Sequence, residues 1–410
     1  MRCPSPRPSV AALLTCGALL AGCGKSALAP GGGRGVAGAG AAPAAASGAG
    51  SATTKNTVRL GGADPASDAA AVARAVYPGL TAASRPRAVV LVYERDWAAS
   101  LAAASLASAP LGAPLLYSDG ETLADVSRRA LEAMHPVGAA AVGGAQVISV
   151  GTSAAVPGGD RRHAVPGGEP AAVAAAIERL QSAIRGSAPR QVIVTAADGP
   201  PALAMPAAGL SAESGAPILF VTAAGVPAAT ATVLAGLHRP AIYLVGPTAM
   251  SARALAALAS FGSVVPIAGG AAAERSSPAA NAIAVSRFAD GSFGWGIHEA
   301  GHGLVFATAS DPLAAPAAAP LSAHGDYAPL LLLESPAAME PILSTYLSDV
   351  QPGYSAAAPP VRGFYNHGWV IGSSISPIVQ AEIDSLLEIS PNGTPGKASS
   401  EEEPAATPGE

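Results

Sequence analysis

Five consecutive residues, His298-Glu299-Ala300-Gly301-His302, carry the pattern H-E-x-x-H. On a helix this spacing sets two imidazoles one turn apart on one face, where they hold zinc while the glutamate acts as general base toward the metal-bound water. The chemistry would be that of a zinc metallohydrolase built on His298, Glu299 and His302. Gly294, Gly296, Gly301 and Gly303 crowd the motif, and glycine opposes a helix. A third ligand would have to come from His324, His367 or a distant acid, and no spacing recommends one. The segment is therefore expected to be a loop feeding a strand near Leu304, with no metal and no cofactor.

Other groups recur. Asp96, Asp198 and Asp311 each follow a short apolar run, at the carboxyl ends of strands where α/β sheets take their ligands. They are either a repeated ligand contact or N-caps of the helices that follow. Gly143, Gly246 and Gly372 close apolar runs, and their N–H groups suit either an anion or a tight strand exit. Trp97, Trp295 and Trp369 are isolated aromatics, either core residues or platforms for a sugar ring. The Gly24-Lys25-Ser26 triplet follows no strand and lacks the upstream glycine of a phosphate loop. With no nucleophile elbow or paired-acid motif in register, the chain is expected to be no enzyme.

What positions these residues is a repeat. A β-branched run (Arg87 to Tyr93), an Ala-rich segment and a Gly-Ala-Pro-apolar run (Gly112 to Tyr117) return as Gln191 to Thr195 with Gly215 to Val221. They return again as Gly303 to Ala307 with Tyr327 to Leu333. Apolar runs alternating with Ala-rich helical stretches predict parallel sheets covered on both faces. In the first unit the spacing predicts strands at Val89 to Val92, Leu115 to Tyr117 and Ala139 to Val142, hence three-stranded sheets. The segments are then 1–23 (signal), 24–56 (flexible Gly/Ala/Ser linker), 57–160, 161–264 and 265–390 (three modules), and 391–410 (disordered acidic tail).

Composition excludes several classes. Of 410 residues 50% are hydrophobic and 12% charged, with net charge -5, so a large core is expected and clustered cations for nucleic acid are not. The three cysteines, Cys3, Cys16 and Cys23, precede the modules, so no disulfide is expected within them. Arg2 and Arg7, an apolar run from Val10 to Leu20 and then Leu20-Ala21-Gly22-Cys23 read as a secretory signal with a lipobox. Cys23 would be acylated, by palmitate or a similar chain, and would anchor a lipoprotein on the extracytoplasmic face of the cell membrane.

Gly61 to Asp64 (Gly-Gly-Ala-Asp), the Gly-Ala-Pro strands at Gly112 and Gly215, and the Val-Gly-Gly exit at Val142 to Gly144 together resemble the cell wall binding repeat 2 family. The resemblance covers roughly Val58 to Ile389. It implies an α/β fold of three tandem Rossmann-like modules with short parallel sheets, arranged as an intramolecular pseudo-trimer in a monomeric chain. It also implies noncovalent binding of an anionic cell-wall polymer, a glycan or a teichoic-acid-like chain. On that reading Asp96, Asp198, Asp311, Gly143, Gly246 and Gly372 are the candidate polymer contacts. The chain departs from the family in having Pro65-Ala66 where Arg-Tyr is usual, and Ala99, Pro201 and Leu313 where an acid is usual. A solute-binding receptor is the remaining alternative, which three equal modules disfavour because such receptors close two lobes over a cleft.

Overall fold

The computed structural model describes residues 53–269, 276–323, 328–355, 359, 364–391 and 393–395. The signal, Cys23, most of the linker, His324 and the acidic residues of the tail lie outside the described residues.

The chain opens with strand β1 (Thr57–Leu60) and helix α1 (Pro65–Val76). Asp64 starts that helix by accepting from the Ser67 N–H, and Pro65 follows at the first helical position, where its missing N–H costs nothing. Next come β2 (Val89–Tyr93), α2 (Trp97–Ala103), β3 (Leu115–Ser118), α3 (Asp125–Met134), β4 (Val147–Val150) and β5 (Arg162–Val165). Helix α4 (Pro170–Arg185) leads to β6 (Gln191–Ala196), α5 (Pro201–Ala204), α6 (Ala207–Ser214), β7 (Ile218–Val221), α7 (Ala228–Gly236), β8 (Ala241–Leu244), α8 (Ala252–Leu258) and β9 (Ser263–Pro266). Helix α9 (Pro278–Arg287) leads to β10 (Gly303–Thr308), α10 (Ala314–Ala323), β11 (Leu330–Leu333), α11 (Pro341–Asp349), β12 (Pro352–Gly353), β13 (His367–Ile371), α12 (Pro377–Leu387) and β14 (Thr394–Pro395).

Three parallel sheets share one pattern, with orders β3-β2-β4-β5, β7-β6-β8-β9 and β11-β10-β13-β1. These are the three tandem Rossmann-like modules that the family resemblance implies. Their central strands are buried on both faces, as the unbroken Val-Val-Leu-Val of β2 requires.

Each sheet has four strands rather than three. The extra strand is an edge strand, and the helix after it crosses to the next module. Strand β1 is accordingly paired with β13 of the third sheet, in register Thr57 to Gly368 through Leu60 to Ile371, while α1 packs on β3 and α3 of the first. The opening of the first module thus closes the third.

A set of polar contacts fastens this closure. Asp384 of α12 accepts from Thr54 Oγ1 at 2.5 Å and from the Asn56 N–H at 2.7 Å, and Lys55 pairs with Glu388. The buried Arg59 guanidinium donates to the carbonyls of Gly372 and Ile375 and to Gln380 Oε1. The last residues of the expected linker are therefore structured. So are the first of the expected tail, where β14 pairs with β12.

Where the modules meet, the packed helices are those after the central strands: α2 with the turn at 104–107, α6 and α10. They are rich in alanine and buried all round, which lets their backbones approach closely. A Cβ on Gly209 of α6 would lie 2.7 Å from Ser322 Oγ of α10, so only glycine fits there. The opening helices α1, α4 and α9 do span adjacent modules, against α10, α2 and α5 respectively. The helices in mutual contact from all three modules are nevertheless the alanine-rich ones.

One strand differs from expectation. Ala140–Val142 form a 3-10 turn, and the strand lies at Val147–Val150. Alanine has little preference for the extended state, whereas Val147-Ile148-Ser149-Val150 supplies the β-branched residues a buried strand needs.

Candidate functional site

All three sheets run in the same sense. At their carboxyl ends, Tyr117 at the end of β3 donates to the Leu313 carbonyl after β10 at 2.7 Å, and Asn281 of α9 holds Gly246 N–H and the Leu203 carbonyl of the second module. At their amino ends, Gln191 Nε2 of β6 donates to the Ser292 carbonyl before β10. The molecule thus has a carboxyl-end face and an amino-end face.

The aspartates of the repeat lie on the carboxyl-end face, where they shape the loops. Asp96 accepts from the Ala99 N–H at 2.9 Å and caps α2, and Asp311 accepts from the Leu313 N–H at 3.1 Å at the start of α10. Asp198 does not cap. It stands two residues beyond its strand where the others stand three beyond theirs, and it accepts instead from the Ala223 N–H of a neighbouring loop at 2.7 Å.

The three glycines do not present free N–H groups to an anion. Gly246 N–H is used by Asn281, Gly372 N–H by the Leu60 carbonyl and Gly143 N–H by the Ala140 carbonyl. Gly246 and Gly372 are true strand exits with φ of +63° and +76°. A Cβ on Gly372 would also lie 2.9 Å from Asp68 Oδ2. Gly143 precedes its strand and lies toward the amino-end face. Its counterpart at the strand exit is Gly151, also at φ +63°.

The H-E-x-x-H segment is not helical, so His298 and His302 are not stacked one turn apart. Gly301 and His302 donate their N–H groups to Asn366 Oδ1 at 2.8 and 3.1 Å, which ties the loop to β13. Burial holds the His302 imidazole below its usual pKa, and the nearby Glu299 opposes this. Among the described residues no cluster of three metal-donor side chains is gathered. Trp97 and Trp369 are half-buried, Trp97 edge-on to Phe220 with ring centroids 6.2 Å apart.

Sequence reasoning missed two features. The first is Asp68, buried in α1 between the third and first modules, where it accepts from the Gly62 N–H at 2.8 Å. Burial, reinforced by Asp311 and Asp64, pushes its carboxyl up to about 7, although the Gly62 contact opposes the shift. Burial raises Asp311 as well. The second feature is charge segregation between the two faces. Asp64, Glu94, Asp119, Glu121, Glu169 and Asp198 sit at the carboxyl ends, against Arg95, Arg253 and Arg162, whose guanidinium donates to the Ser153 and Ala154 carbonyls beyond β4. The amino ends of the first two modules instead carry Arg85, Arg87, Arg161, Arg190 and Arg239, against Glu132, Asp160, Glu213 and Asp290. The repeat register, followed through the charged residues, would have shown it.

No family model and no curated protein matches this chain. Two solved structures share its fold. Cwp8 from Clostridium difficile has a TM-score of 0.60 at 18% identity, over 82% of this chain and 52% of its own. Cwp6 from the same organism has a TM-score of 0.61 at 17% identity, over 84% and 49%. The chain therefore spans about half the length of the structures it matches. At such identity the likeness concerns architecture, and it extends over all three sheets rather than one Rossmann-like unit.

Proposed function

We propose that this chain is a cell-envelope protein whose three modules together bind a cell-wall polymer, acting by attachment rather than catalysis. The observation that carries the reading is the extent of the fold shared with the cell wall proteins Cwp8 and Cwp6, more than four-fifths of the chain. A single Rossmann-like sheet recurs in many unrelated proteins and says nothing of function. Three sheets joined by an exchanged edge strand are a far narrower class. The lipobox at Cys23 adds a membrane anchor on the extracytoplasmic side, and the polymer is an anionic glycan or teichoic-acid-like chain. The reading rests also on the loops: Asp96 and Asp311 hold helix starts at the carboxyl ends, and the H-E-x-x-H loop at the amino end of β10 lacks the helical spacing zinc chemistry needs.

The test is retention of the purified full chain on isolated wall fractions. Retention that disappears after anionic polymer is extracted from the wall supports the reading, and equal recovery on extracted and intact wall refutes it. In the producing cells, Cys23→Ala is expected to abolish acyl labelling and release the chain from membranes. Unchanged fractionation of that variant would remove the anchor from the proposal.

A further inference from the structure

The loop that sequence reasoning mistook for a strand exit gathers cations. Arg85 Nε donates to the His135 carbonyl at 2.6 Å, and the Gly138 N–H donates to the Arg87 carbonyl at 2.8 Å. Arg161 Nη1 reaches the Gly143 carbonyl at 3.4 Å, and a Cβ on Gly138 would lie 2.7 Å from the Gly144 carbonyl oxygen. One stretch, 135–145, therefore draws Arg85, Arg87 and Arg161 around the amino end of the first sheet. Arg87 and Arg161 are exposed and Arg85 is half-buried.

None of the three is in an ion pair among the described residues, whereas Arg128 pairs with Asp125 and Glu132, and Arg287 with Asp349. The nearest acid in sequence, Asp160, is half-buried, and it forms no ion pair with any of the three among the described residues. Arginine offers a planar fork of donors suited to phosphate and carboxylate, and unpaired guanidinium groups on one face leave those donors open.

The basic position repeats in the second module. Arg87 and Arg190 each stand six residues before the last paired residue of their central strands, Tyr93 and Ala196. The third module has His302 at that place, and burial holds its imidazole below the usual pKa. The carbonyls of Arg190 and His302 accept equivalent bonds from the Ala241 and His367 N–H groups. In the second module Arg239 and His238 are exposed beside Arg190, with Glu213 and Asp290 the acids at that end. Charges that recur from the first module to the second suit a ligand whose own charges recur.

We propose that the amino-end face of the first module, through Arg85, Arg87 and Arg161 with His135 at its rim, binds a phosphate- or carboxylate-bearing polymer that continues toward Arg190 and Arg239. This deepens the polymer-binding reading and takes its ligand class from it. The acidic carboxyl-end face, where α/β sheets usually take ligands, repels such a polymer.

The test uses the full chain and long-chain inorganic polyphosphate as probe, with neutral dextran and phosphatidylglycerol vesicles as the other arms. Wild type is expected to bind polyphosphate, with affinity falling as salt rises, and to ignore dextran. The triple variant Arg85→Gln, Arg87→Gln, Arg161→Gln should bind roughly tenfold or more weakly with a shallower salt dependence. A charge-matched control, Arg95→Gln, Arg179→Gln, Arg253→Gln, alters exposed arginines away from the amino-end face and should bind nearly as wild type. Circular dichroism checks that both variants fold, and Arg87→Gln alone, which leaves the Arg85 and Arg161 contacts intact, should still lose affinity.

Equal weakening of variant and control overturns the site, as does binding to the vesicles without binding to polyphosphate. If wall fractions retain wild type and the triple variant alike, this inference fails while polymer binding stands. If the three arginines hold polyphosphate but wall fractions retain nothing, the site stands and the envelope role fails.

Discussion

Asp68, Val173 and Asn281 occupy one position, the third residue after the proline that opens α1, α4 and α9. Asn281 serves its seam with both halves of its amide, accepting from Gly246 and donating to Leu203. Ionised Asp68 can only accept, and it faces Asp311 at a buried seam. Its folded pKa of about 7 lies above the unfolded value, so the folded state holds a proton the unfolded chain has released. Stability from this group is fully present below about pH 4, falls as pH rises toward 7, and stays low beyond. Each tenfold difference in proton affinity between the folded and unfolded chain is worth about 1.4 kcal/mol, so the loss is a few kcal/mol. Asp68→Asn should flatten the pH dependence of urea unfolding between pH 4 and 7 and stabilise the protein at pH 8. A variant less stable than wild type at pH 8 would rule this out. The position was not legible in the sequence, because one aspartate among the alanines of α1 reads as a solvated face until another module covers it. Asp96 and Asp311 were legible as caps, since a cap depends only on the residues that follow it.

At the level of elements, the sequence disclosed whatever has a local cause. Proline at the first turn, β-branched runs and glycine exits located most helices and strands within a few residues. The partner of β1 was hidden, because Val58 to Leu60 looks the same whether it pairs with the first sheet or the third. The contacts that decide this are long in sequence, chief among them Asp384 of α12 with Thr54 and Asn56. Asp384→Ala removes the Oδ1 that accepts both bonds and should cost about 1–3 kcal/mol. Hydrogen exchange should quicken first at Val58, Arg59 and Leu60, and exchange unchanged there would show that the strand is held by its ladder alone. The spurious strand at Ala139 to Val142 arose from weighing the Val-Gly-Gly pattern above the poor β preference of three alanines.

For the molecule as a whole, the repeat count and the α/β class were readable, and the closure was not. The exchanged strand means that cutting between sequence repeats cuts through a structural unit. A fragment ending near Gly159 lacks both β5 and the β13 partner of β1, so it should not unfold with the cooperativity of the full chain. The intact chain is expected to show one calorimetric transition, and two resolved transitions would show the modules to be independent. Closure also has a mechanical meaning. A pull on the residues before Thr53, directed out of the amino-end face, runs along β1 against its parallel neighbour β13, so the Thr57 to Leu60 ladder is strained as a set rather than bond by bond. Arg59, threaded into three carbonyl and amide oxygens, resists the same slide. A chain held to a membrane at one end and to a wall at the other would then carry tension in shear, its strongest direction, and would lose its shape only when the first strand slips free.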